Sequence, residues 1–139
     1  MHNPFCLFSA ALLCATPYLA MADESWTSAQ YGEIIYGANV GDTAVLTMGG
    51  THPGSKVQMY LPGLAENITT RGTYTGYWIE NAPGVCSSEK TGADSLSSTA
   101  WGQLEVVFDS PTFPGAFTMR LGSCDDAFTD EGRAEPIEN

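Results

Sequence analysis

From Gln103 to Asp109 the chain reads QLEVVFD. Leu104, Val106 and Phe108 alternate with Gln103, Glu105 and Asp109, and only Val107 breaks the pattern. A period of two gives a strand one dry face and one wet face. The same period recurs in Ala116–Ser123, where Phe117, Met119 and Leu121 alternate with Thr118, Arg120 and Gly122. It recurs again in Lys56–Leu61, where Val57, Met59 and Leu61 alternate with Lys56, Gln58 and Tyr60. Gln30–Tyr36, Thr43–Met48 and Gly72–Glu80 are further β-rich runs, and turn-forming residues separate them all. No long helical period is present. Strands that are wet on one side belong to antiparallel sheets. The expected fold is therefore all-β: a single small antiparallel meander of about six strands, closed as a barrel or folded as a sandwich, with one disulfide.

The disulfide follows from the compartment. Phe5 to Leu19 is largely apolar, Ala20-Met21-Ala22 is a small-x-small cleavage pattern, and Asp23-Glu24 follows. This reads as a secretory signal peptide over residues 1–22, cut after Ala22. The leading MHNPF lacks Lys and Arg. Pro17 and the short apolar run argue against a stable membrane span, which needs about 20 apolar residues. Lipoprotein anchoring through Cys14 ranks below simple secretion, because the preceding Leu13 is bulkier than lipid attachment wants. Export, to the periplasm or the exterior, removes Cys6 and Cys14. It leaves Cys86 and Cys124 as an even pair in an oxidising compartment.

A meander brings that pair together. If the last three runs go up, down and up, Cys86 and Cys124 both lie just past strand ends at one edge of the sheet. Asn81–Ala100 between two of those runs is long for a hairpin. The organisation expected is a leader (1–22), a β-domain (23–124) and an acidic tail (125–139). The tail is nearly free of apolar residues and is read as disordered.

All charged residues follow Ala22, so the exported part keeps the net charge of −11. Its five basic residues are scattered, which makes nucleic acid and anionic surfaces poor partners. Catalytic groups are scarce. After the leader's His2 only His52 remains, and no G-x-S-x-G elbow accompanies it. One His and two oxidised Cys cannot form a zinc shell, the acidic segment lacks the EF-hand pattern, and no phosphate loop is found. No metal and no cofactor is expected. Glu33, Glu80 and Glu105 are strand carboxylates, and any two facing one cavity would supply an acid and a base, although alternation puts Glu105 on a wet face. Asn67-Ile68-Thr69 is a formal glycosylation acceptor.

The aromatic runs are the remaining candidates. In Gly72–Glu80, alternation places Tyr74, Gly76, Trp78 and Glu80 on one face and Thr73, Thr75, Tyr77 and Ile79 on the other. Gly76 is read as leaving room for a neighbouring ring. Trp101 enters its strand at the edge where Trp78 leaves, so the two indoles are expected to approach. Packing that closes a small core is the weightier reading. The alternative is a binding lip made by Tyr74, Trp78 and Trp101.

Gly72-x-Tyr74-x-Gly76-Tyr77-Trp78, then Cys86, Trp101-Gly102, Phe108 and Cys124-Asp125, resembles a recurring module of small exported bacterial proteins. The resemblance spans about Gly72 to Asp125 and implies an all-β exported unit without an assigned activity. The functional expectation is an exported, non-enzymatic β-domain that binds a small molecule or an envelope protein at the Asn81–Ala100 edge. The alternatives are a carboxylate-dependent hydrolase using Glu33 or Glu80, and an envelope structural or assembly protein.

Overall fold

The computed structural model describes residues 24–137. The expected leader and cleavage point, with Cys6 and Cys14, lie outside the described residues. Ten strands form: β1 (Ser25–Ser28), β2 (Gly32–Val40), β3 (Thr43–Gly49), β4 (Lys56–Pro62), β5 (Thr73–Glu80), β6 (Lys90–Thr91), β7 (Ser97–Ser98), β8 (Trp101–Phe108), β9 (Phe117–Gly122) and β10 (Phe128–Pro136). Eight of them close a barrel in the order β1-β10-β9-β8-β5-β4-β3-β2, and every pairing in it is antiparallel. β6 and β7 form a separate small hairpin. The fold is all-β, a meander closed as a barrel rather than a sandwich, with eight barrel strands where six runs were read.

The two additional strands are β1 and β10. β1 is too short to show a period. β10 overturns the disordered tail. Its inward positions are Asp130, Gly132 and Ala134, which pair with the inward Leu121, Met119 and Phe117. Two of those three are very small, so the segment carries no apolar signature although its backbone completes the ladder. Its outward side is tied by charge. Arg133 pairs with Asp109 and Glu135, and Arg120 lies over the Phe128 ring.

Alternation sorts the other strands as read. Ile34, Tyr36, Leu46, Met59, Val106, Phe117 and Met119 are almost fully buried in the interior. Glu33, Gln103, Glu105, Arg120, Glu131 and Arg133 hold outward positions, opposite in phase to that core. This outer face is unlike the apolar band a barrel turns to lipid. Among the described residues no helix is long and apolar enough to cross a membrane.

One end of the barrel is plugged. The Arg71 guanidinium gives Glu24 two hydrogen bonds, at 2.6 and 2.7 Å, with both side chains buried. It also lies 5.1 Å from the centroids of Phe108 and Phe113. Trp26 donates to the Gly115 carbonyl at 2.8 Å, and Leu64, on a single 3-10 turn, is fully buried nearby in the core.

Asn81–Ala100 is not a wandering loop. It packs outside the barrel wall, over the outward residues Val45, Tyr60, Tyr77, Ile79 and Trp101. Tyr60 donates to Asp94 at 2.6 Å, Trp101 donates to the Ser88 carbonyl at 2.8 Å, and Lys90 sits over the rings of Tyr77 and Trp101. The Cys86–Cys124 disulfide forms as expected, joining the ends of β5 and β9, with Cα atoms 5.6 Å apart.

Candidate functional site

An eight-stranded barrel is just wide enough to be filled by side chains or to hold one small ligand. Here the filling stops short of one end. The open end is bounded by the β1–β2, β3–β4 and β9–β10 turns and by the junction of β5 with β8. It holds a cavity of about 570 Å³, within the size range of small-molecule sites. Met48, Val57 and Leu121 give it an apolar floor, and Trp78 and Tyr31 stand on its walls.

Each wall ring is placed by backbone geometry. Ser28 pairs with Gly32, leaving a three-residue turn, and Gly32 adopts φ +72°. A left-handed residue after a three-residue turn is a standard hairpin closure that glycine accepts without strain. This turn projects Gln30 and Tyr31 at the rim. The Tyr31 ring then lies across β10 at Gly132, where an added Cβ would fall 2.3 Å from the ring. Trp78 faces Gly102 across the β5–β8 pair. Its indole crosses that glycine and donates to the Gly122 carbonyl on β9 at 2.8 Å. An added Cβ on Gly102 would stand 2.5 Å from the indole nitrogen.

The rim itself is polar. β10 is irregular between Phe128 and Asp130, and a bulge at a barrel rim re-aims side chains. Thr129 and Asp130 both line the mouth, and Asp130 stands on the interior face beside Tyr31. Burial, and secondarily the Asp130 charge, push the Tyr31 phenol above its ordinary value.

A smaller cleft of about 180 Å³ adjoins the mouth, sharing Trp78 and Thr51 with it and reaching Trp101 and the disulfide. Its carboxylate, Glu80, is buried. It accepts hydrogen bonds from the Thr51 backbone N–H, from the Thr51 hydroxyl at 2.9 Å and from the Ser55 hydroxyl at 3.0 Å. His52 Nδ1 is 3.5 Å away on a ring that is 55% exposed. Gly50 is what lets this turn wrap the carboxylate, since a Cβ there would lie 2.5 Å from Glu80 Oε1. Burial raises the Glu80 pKa, but the combined donors and His52 outweigh it and hold the carboxyl below its ordinary value.

Of the three aromatics read as a lip, Trp78 and Trp101 both line the smaller cleft, from opposite faces of the sheet, and Tyr74 stands apart. Trp78 lines the mouth. Tyr74 is at the opposite end of β5, edge-on to Phe108 with centroids 6.2 Å apart. Trp101 pairs with Ile79 and points outward under the 81–100 segment, so the two indoles occupy opposite faces of the sheet. Gly76 makes room for backbone rather than for a ring, because an added Cβ would meet the Tyr60 carbonyl oxygen at 1.8 Å. Sequence reading missed Tyr31, Asp130 and the apolar floor. The available signal was the set of glycines in otherwise regular strands, Gly102 and Gly132.

Glu33 pairs with Thr27 on the outward face of β2, away from the mouth. Among the described residues no group of three or more His, Cys, Asp or Glu is placed to hold a metal ion. Asn67 is exposed, and its side-chain amide donates to the Gly63 carbonyl at 2.8 Å. No family model, no curated protein and no solved structure matches the chain.

Proposed function

We propose that the protein is an exported, non-enzymatic binding module that takes one small, partly apolar ligand in the open mouth of its barrel. The observation that carries this reading is the mouth itself. It combines an apolar floor, two positioned rings and a polar rim in about 570 Å³. A pocket with mostly apolar walls and a few convergent polar groups is the usual form of a small-molecule site. The Cys86–Cys124 bond supports an oxidising compartment. The hydrolase alternative is not favoured. The mouth and the adjoining cleft each present a single carboxylate, Asp130 and Glu80. Glu80 is committed to its own turn.

Tryptophan fluorescence tests the binding reading. Trp26 is fully buried and Trp101 nearly so, which leaves Trp78 as the reporter at the mouth. A panel of small aromatic and aliphatic molecules should contain some that change the emission saturably. Leu121→Trp, which fills the floor, should abolish that response in a still-folded barrel, as checked by far-UV circular dichroism. A panel that leaves the emission unchanged, or a response that survives the filled floor, overturns the reading.

A further inference from the structure

The electrostatics of the mouth narrow the ligand class. Among the described residues that line the cavity, Asp130 is the one charged side chain. All five basic residues are placed elsewhere. Arg71 is in the plug and Lys90, on the 81–100 segment itself, lies outside the wall over Tyr77 and Trp101. Arg120 and Arg133 are paired with Glu105 and with Asp109 and Glu135 on the outer face. Lys56 neighbours the inward Val57 on β4 and so points out. The chain as a whole carries −11.

The carboxylate also has suitable company. Asp130 follows Leu121 around the interior wall by strand pairing, and Tyr31 lies over Gly132 two residues along the same face. The Trp78 indole reaches the neighbouring Gly122 from the other side. One stretch of wall thus offers, in sequence, an indole, an apolar side chain, a carboxylate and a phenol. Aromatic faces attract cations, and a nearby carboxylate completes the attraction at one end of an otherwise apolar site.

We infer that the mouth selects organic cations, namely amines or quaternary ammonium groups carried on an apolar body. The body rests on Met48, Val57 and Leu121, and the cationic head lies between Asp130 and the two rings. This rests on the mouth being the binding site, and the test separates the two statements.

The disulfide-bonded protein is titrated with phenethylammonium, phenethyl alcohol and phenylacetate at neutral pH, with amide NMR shifts followed around residues 30–31, 49–51, 121–123 and 129–130. The amine should bind about tenfold or more tightly than the alcohol, and phenylacetate weakest. Asp130→Asn should bring the amine to the level of the alcohol and leave the alcohol unchanged. Glu66→Gln removes the same charge from an exposed turn at the plugged end and should preserve the preference. Equal binding of amine and alcohol overturns the inference while leaving the mouth as a binding site. Equal losses in Asp130→Asn and Glu66→Gln overturn it too, because the preference would then belong to the overall field. Silence of all three probes at the mouth amides overturns both the inference and the site.

Discussion

Glu80 is a strand carboxylate that the fold wraps in hydrogen bonds from one turn. A strand carboxylate next to a histidine-bearing loop suggests acid–base chemistry, yet its oxygens are spent on Thr51 and Ser55. Because its pKa in the folded state lies below the ordinary value of 4.5, its contribution to stability is complete above that value. The contribution is lost as pH falls through the depressed one. The urea midpoint of the wild type should therefore fall more steeply than that of Glu80→Gln between about pH 5 and about pH 3. Parallel curves would show that this carboxylate does not stabilise the Gly50–Ser55 turn. The glycines give the complementary lesson. Gly76 was visible as a gap in a strand, whereas Gly102 preceded the run that was read and Gly132 lay in the segment read as disordered, and a sequence does not say whether a ring or a carbonyl will fill such a gap. That depends on which strand lies alongside, and for Gly132 the neighbour comes from the far end of the chain.

At the level of elements, alternation in three runs and β-rich composition between turns in three more located six of the eight barrel strands, because those runs bury large side chains on one face. It failed where the inward positions are small, as in β10, and where the strand is short, as in β1. The 81–100 segment was read as long for a hairpin and stapled at its base, and its internal order was not legible. Its order comes from a second cluster built on the outer wall, which no local pattern announces, since Val45, Tyr60 and Tyr77 look like ordinary wet-face positions. Two kinds of restraint therefore hold this segment. Breaking the covalent one in Cys86→Ala should lower the melting temperature by the equivalent of up to about 4 kcal/mol in the chain-entropy account. The hairpin of β6 and β7 should stay docked through Trp101 and Tyr60, so the Leu96 region should keep measurable amide protection. A reductant should bring the wild type to the melting temperature of the variant. An unchanged melting temperature would mean that the non-covalent contacts alone fix the segment.

For the whole molecule, the choice between barrel and sandwich was not legible. Closure depends on β1 meeting β10, a pairing of residues more than 100 positions apart, and no local period encodes it. The direction of the barrel was legible. Most large apolar side chains face in and most charges face out, apart from the outer cluster under the 81–100 segment and the Glu24–Arg71 pair in the plug. The plug adds a whole-chain constraint, because Glu24 must be present to neutralise the buried Arg71. Removing one partner of such a pair costs about 3–5 kcal/mol. A leader cut after Ala22 would keep Glu24 as the second residue of the exported chain. Sequencing the amino terminus of protein recovered from the envelope or medium should give Asp23 first, and a start beyond Glu24 would contradict the proposed processing.

The pairing of β1 with β10 has a further meaning when the chain is followed in time. The seam consists of Trp26 with Pro136 and Thr27 with Glu135, with one more hydrogen bond from Ile137 to Ser25. One partner is made at the start of the domain and the other near its finish. A chain that emerges in order can add β2 to β1, then β3 and β4, but it carries two open hydrogen-bonding edges throughout, and open edges invite pairing with other chains. Those edges disappear together, and only when the final strand arrives. The seam thus acts as a clock as well as a joint. Without β10 on β1 the sheet is open, and that one pairing makes it a ring.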